Sequence, residues 1–211
     1  MNRRRLLRAA ALLAASAPLL AIAGSPPLAA AGAIDVEAIL NDPATPVAGD
    51  PAGDVTIVAF MDYNCPFCKK SSPDLERFVN DDGKVRLVYK DWPILTDASV
   101  TGARLALAAN YQGKYREAHI AMLSIRGQKV DGASMLAAVK AAGVDMALLD
   151  ADLKAHDADI SALLKRNMSE ADSLGLEATP VFLIGPFKVA KALDYDEFKQ
   201  TVADFRARVA K

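Results

Sequence analysis

The chain has two cysteines and places both on one turn, Cys65-Pro66-Phe67-Cys68. They fall where an apolar run, Val55–Phe60, gives out and a helix can begin. Two residues between cysteines on the first turn of a helix bring the sulfurs within bonding range. The unpaired backbone N–H groups and the positive dipole end of such a helix favour a thiolate over a thiol. The thiolate is the species that attacks disulfides, so this arrangement makes a redox centre. Other uses of the pair fit less well. A structural disulfide across so short a loop removes little chain entropy and stabilises weakly. Zinc needs two further ligands at close spacing, and the only histidines, His119 and His156, lie far from the cysteines and from each other. Inert buried thiols have no reason to adopt this spacing. The residues point to a redox-active pair that needs neither metal nor cofactor.

The N-terminus reads as a targeting segment. Arg3, Arg4, Arg5 and Arg8 precede an uncharged Ala/Leu-rich stretch, Ala9–Ala23, too short to cross a bilayer comfortably. Small-x-small cleavage sites follow between Ala23 and Ala33, and the run Asn2–Arg8 fits a twin-arginine signal about as well as a general secretory one. The expected organisation is a signal peptide over 1–33, cut somewhere from 23 to 33, then a folded domain over 34–211. Export would place the two thiols in the periplasm, where disulfides persist and are exchanged. Removing the leader takes four of the 25 basic residues and no acids, leaving 21 against 26 acidic, a net of −5. With charges interspersed and no basic run, nucleic-acid binding is unsupported, and no later segment is apolar enough to hold the chain in a membrane.

Within the domain, Ile34–Asp54 reads as an extended entry with at most a helical turn at Val36–Leu40. Val55–Met61 is a buried strand, the stretch from Cys65 to Val79 a helix kinked at Pro73, and Val85–Lys90 a second strand. Strand, helix and strand in that order make a parallel βαβ unit. From Asp97 to about Leu174 apolar residues recur at helical intervals, with a break near His156 and Asp157. Thr179–Ile184 is then a strand, Phe187–Ala190 its hairpin partner, and Asp194 opens a C-terminal helix. The implied class is α/β, one sheet with an all-helical subdomain inserted at about 97–175.

That order resembles a thioredoxin fold with a helical insertion, and specifically the exported DsbA-like thiol-disulfide oxidoreductases of the suppressor-of-copper-sensitivity and Com1-like branch. Three segments carry the resemblance: Asp62–Lys69 around the cysteines, Lys90-Asp91-Trp92-Pro93, and Ala178-Thr179-Pro180-Val181-Phe182. It implies that Cys65 is the attacking thiol, Cys68 the buried resolving partner, and Pro66 and Phe67 the residues that tune the potential. It also implies that Pro180 is cis beside the sulfurs, with Thr179 offering backbone to an incoming chain. The implied partners are exported cysteine-containing proteins and a membrane redox protein that recycles the pair, the chain itself acting as a monomer.

The sequence departs from that family at three places. Ala59 stands where many relatives carry a buried glutamate. Phe67 replaces the histidine of the strongest oxidants and cannot support a thiolate by charge, so a weaker oxidant is expected. The lead-in is also too short for an oligomerising stalk. Asp62 is expected to cap the turn or to be solvated, His119 and His156 to be surface or partly satisfied helix residues, and Trp92 to be a packing residue. Two further activities fit the same motif: a reductase or isomerase kept reduced by a membrane partner, and a copper-stress protein holding Cu(I) between the thiolates.

Overall fold

The computed structural model describes residues 34–127 and 129–210. The expected signal peptide and its cleavage sites lie outside the described residues. Val55–Met61 forms the central strand β2 of a five-stranded sheet because it is apolar on both faces, with only Thr56 less than buried. It is preceded by helix α1 (Val36–Asn41) and strand β1 (Val47–Gly49). It is followed by helix α2 (Pro66–Asp82) and strand β3 (Val85–Asp91), which pairs with β2 in parallel from Val55–Val85 to Met61–Asp91. Strand β4 (Val181–Ile184) runs antiparallel on the other side of β2, and β5 (Phe187–Val189) closes that edge. The order β1-β3-β2-β4-β5 makes a thioredoxin fold. Between β3 and β4 the chain makes five helices: α3 (Asp97–Asn110), α4 (Tyr115–Leu123), α5 (Gly132–Ala141), α6 (Met146–Ala155) and α7 (Asp157–Ser173). Helix α8 (Tyr195–Val209) ends it, entered through a reciprocal capping box between Asp194 and Glu197.

Alternation along the strands sorts the core into two layers. Ile57, Ala59 and Met61 face one side with Leu87, Tyr89, Phe182, Phe78 of α2 and Phe198 of α8, and this layer runs on into α3–α6. Val58 and Phe60 face the other with Val88, Trp92, Ile39 of α1 and Ala171 of α7. Trp92 packs as expected, its ring edge-on to Phe60 at 6.1 Å and its indole N–H on the Met168 sulfur at 3.3 Å. Lys90, at the end of β3, is wholly buried, and its ammonium lies 2.7 Å from the Glu170 carboxylate of α7.

Four local readings are corrected. The lead-in is not merely extended, because β1 pairs antiparallel with β3 as a three-residue edge strand, too short to leave a pattern. The helix expected from Cys65 begins at Pro66, with Cys65 as its N-cap, and runs on to Gly83, whose left-handed φ of 68° terminates it. The strand expected from Thr179 begins at Val181. His119 is not at the surface. It is 2 % exposed, its Nδ1 2.9 Å from the Tyr63 hydroxyl, inside a ring of Tyr63, Tyr89 and Tyr115.

Candidate active site

The C-terminal ends of β2 and β3 lie side by side, and the loop Asp62-Tyr63-Asn64 leads from β2 into the cysteines. Cys65 caps α2 with its own sulfur, which accepts from the Cys68 N–H at 3.3 Å. A helix N-terminus supplies donors and a positive partial charge, and the thiolate takes both. The two thiols are unbridged, Cys65 3 % exposed and Cys68 fully buried. Phe67, between them, is 60 % exposed, and Pro66 is exposed as well.

Thr179 and Pro180 meet this turn from across the sheet. The Thr179–Pro180 peptide is cis, and the Thr179 carbonyl lies 3.2 Å from Cys65 Sγ. A carbonyl only accepts, so that contact belongs to the protonated thiol. The buried Thr179 hydroxyl makes no hydrogen bond of its own and, as a potential donor, favours the ionised form of Cys65. Pro66, Phe67, Thr179 and Pro180 therefore stand together with Cys65 and Cys68.

The two thiols are driven apart electrostatically. Hydrogen bonding from Cys68, then from Thr179 and the backbone N–H groups of Cys68 and Phe67, outweighs burial and lowers Cys65 to about 6. Burial first, then the hydrogen bond and the charge of Cys65, push Cys68 well above the ordinary thiol range. At neutral pH the pair thus holds one thiolate and one thiol, the asymmetry that disulfide exchange requires.

A second group of residues holds the turn in place; of these the sequence points only to Asp62, as a cap. Asp62 is buried, not solvated. Its carboxylate accepts from the Asn64 N–H at 2.7 Å, the Ser99 hydroxyl at 2.6 Å, and the N–H groups of Ile94 and Leu95 at 2.9 and 3.0 Å. Asn64 clasps Val130 through both backbone groups, donating to its carbonyl at 3.1 Å and accepting from its N–H at 2.8 Å, and also donates to Thr96 Oγ1. Asp62 and Asn64 so tie the redox turn to the start of α3 and to the loop before α5. Behind them Tyr63 donates to Asp91 at 2.8 Å, and Tyr115 donates to the same carboxylate at 3.1 Å. Burial pushes Asp91 up to about 7 and His119 down to about 3. Short polar side chains two residues apart in a turn were the available signal for the clasp. Their partners, 32 to 66 positions away, carried none.

Ala59 lies between Tyr89 and Phe182 in the ladder, 1 % exposed, so no carboxylate reaches the thiols from that position. Buried acids on this side of the sheet are Glu76 of α2, engaged by Tyr89 at 2.7 Å and Arg116 at 2.7 Å, and Asp91 of β3, held by Tyr63 and Tyr115. Among the described residues no group of three or more His, Cys, Asp or Glu side chains is arranged to hold a metal ion.

Fold and paired thiols together define a thioredoxin-like thiol-disulfide oxidoreductase of the DsbA and ScsC type. The chain belongs to the thioredoxin family, whose model matches residues 41–204. It is similar to a thioredoxin-like oxidoreductase from Silicibacter pomeroyi DSS-3, with 35% identity, a TM-score of 0.75, and coverage of 82% of this chain and 98% of that one. It is also similar to the thiol-disulfide exchange protein alpha-DsbA2 from Wolbachia pipientis, with 30% identity, a TM-score of 0.74, and coverage of 80% and 91%. The catalytic domain of Proteus mirabilis ScsC matches at 27% identity and a TM-score of 0.70, over 81% and 94%. The curated relatives it matches are longer. A Na(+)/H(+) antiporter NhaA 1 from Mycobacterium sp. (strain KMS) is 24% identical over 156 residues, and the match spans 70% of this chain but 25% of that protein.

Proposed function

We propose that this chain exchanges disulfides with exported proteins in the periplasm, through Cys65 as nucleophile and Cys68 as resolving thiol. The observation that carries the reading is the placement of the two sulfurs, Cys65 capping α2 beside the cis Thr179–Pro180 peptide and Cys68 fully buried one turn on, which favours the thiolate at Cys65 and the thiol at Cys68. In the reducing direction the Cys65 thiolate attacks one sulfur of a substrate disulfide and forms a mixed disulfide, and the other substrate sulfur leaves as a thiolate. Cys68 then loses its proton and attacks Cys65 Sγ. The Cys65–Cys68 disulfide forms, the second substrate thiolate leaves, and two electrons have passed from the pair to the substrate. Run backwards, the oxidised pair accepts two electrons and the substrate gains the disulfide. Stabilising the thiolate stabilises the reduced pair, which favours this oxidising direction. Thr179 presents backbone to the extended substrate beside the sulfurs, as in strand addition. Export rests on the Arg-rich leader over 1–33, and none of the described helices is long and apolar enough to cross a membrane. A membrane redox protein recycles the pair, and the chain works as a monomer.

Cys68→Ala is expected to trap mixed disulfides with exported proteins, visible as adducts that reductant releases, while Cys65→Ala forms none and loses insulin reduction. Adducts on Cys65→Ala and none on Cys68→Ala would reverse the assignment. The reduction potential of the Cys65–Cys68 couple sets the direction. A value at or below that of thioredoxin, about −270 mV, would make the chain a reductase.

A further inference from the structure

Two open grooves flank the redox turn, and their charges are all of one sign. One, of about 410 Å³, runs between Phe67 and the Thr179–Pro180 loop and is lined at its mouth by Lys70 and Lys191. The other, of about 570 Å³, runs from Pro66 along α2 to the end of α4 and is lined by Lys69, Lys70 and Arg126. Neither contains an acidic residue. Lys70 borders both, on the ridge that separates them.

This clustering runs against the rest of the molecule. The domain after the leader is acidic overall, with 26 acids against 21 bases once the leader's four arginines are set aside. Lysines in the opening turns of a helix also meet an unfavourable dipole, and the first turn of α2 has no acid to offset it. The cations are only partly neutralised. Lys191 lies 2.6 Å from the Glu197 carboxylate, and Lys69 donates to the Gly127 carbonyl at 3.0 Å. Lys70 and Arg126, both exposed, form no ion pair among the described residues. Glu177, the exposed acid next to lining residue Ala178, lies outside both linings.

We propose that the two grooves select cysteines set among aspartates and glutamates in an extended segment of a client protein. The proposal rests on the exchange reading above and names its substrate class. A segment whose cysteine reaches Cys65 must send its flanking residues along the grooves on either side, where the paired charges raise the encounter rate and disfavour basic segments. Lys70 and Arg126 are the specificity-determining residues, Lys191 and Lys69 being already engaged.

The test uses the reduced protein and three peptides, each closed by one internal disulfide, with glutamates, alanines or lysines beside the cysteines. Reduction rates are measured at low salt and at about 0.5 M salt, where screening is nearly complete. The glutamate peptide is expected to react about tenfold or more faster than the lysine peptide at low salt, and the ratio to fall toward one at high salt. The double variant Lys70→Glu with Arg126→Glu is expected to invert the low-salt ratio. Comparing two peptides on one protein cancels any change in the reactivity of Cys65 itself. Equal rates for all three peptides, or a ratio unmoved by salt or by charge reversal, would overturn the selection and leave the exchange activity standing. No reduction of any peptide, the alanine one included, would overturn the exchange reading and this proposal with it.

Discussion

Ionisation of Cys65 makes the stability of the reduced protein depend on pH in a way that can be isolated by one substitution. Its folded value of about 6 lies below the ordinary thiol value of 9.0. A group lowered on folding adds stability that is complete above the unfolded value and disappears as pH falls through the folded one. From those two values the contribution is negligible at pH 5, about 1.4 kcal/mol at pH 7 and about 2.7 kcal/mol at pH 8, and levels off near 4 kcal/mol above pH 9. Cys65 is 3 % exposed, so solvent screening does not erase the effect. Urea unfolding of the reduced wild type and of Cys65→Ala, in a non-thiol reductant from pH 5 to 8, reads it as the difference between two curves. The opposing trend of Asp91, whose raised value of about 7 withdraws stability as pH rises from 3.8 through 7, is common to both proteins and cancels. The gap between the curves should widen by about 2.6 kcal/mol over that range. Parallel curves would show that the helix cap does not lower this thiol. The same 1.4 kcal/mol at pH 7 would make the pair about 30 mV more oxidising than ordinary thiols, a shift the measured potential checks separately.

Other outcomes follow from the buried polar groups. Asp62→Ala strands the N–H groups of Asn64, Ile94 and Leu95, and should lower the unfolding free energy by about 3 kcal/mol. An unchanged urea midpoint would dissolve the anchoring role. Lys90→Met leaves the Glu170 carboxylate without its cation and should cost about 3–5 kcal/mol. Adding Glu170→Leu should recover most of that loss, and additive losses in the double variant would show the two residues are not coupled. In Cys65→Ala the Cys68 thiol loses the hydrogen bond and charge that raise it, so it should ionise at lower pH than in the reduced wild type, as read by thiolate absorbance. Ionisation at the same or higher pH would leave burial as the sole cause.

What the sequence reveals and what it hides divide along a physical line. The strand Val55–Met61, the break in the helical run at His156 and the cap at Asp194 rest on interactions within a few residues, and each is where its pattern places it. The cysteine pair is legible for the same reason, since spacing and a helix start are local facts. The capping of the turn by Asp62 is local and legible, but the burial of Asp62 and of His119 is not, because exposure depends on what the tertiary fold brings against them. Ser99, Ile94 and Leu95 come back onto Asp62 only after β3, and the aromatic ring around His119 is drawn from a loop, a strand and a helix. Gly102 shows the same limit. A Cβ there would sit 2.7 Å from the Met135 sulfur and 3.1 Å from the Tyr63 ring, so the glycine lets α3 press against the residue between Asp62 and Asn64. A glycine inside a helix announces a weak spot in the sequence. Only the packed structure shows that it seats the loop carrying the redox pair.

The insertion therefore does more than cover the sheet. Through Ser99 and Val130 it helps to fix Asp62 and Asn64, and those residues fix the turn on which the two thiols acquire different acidities. That difference also orders the chemistry. Part of what keeps Cys68 protonated is Cys65 itself, through its hydrogen bond and its charge. In the exchange we propose, Cys65 loses that charge on entering a mixed disulfide, the added cost of ionising Cys68 falls, and the resolving thiolate becomes accessible at the step that consumes it. The first half of the proposed exchange would so prepare the second.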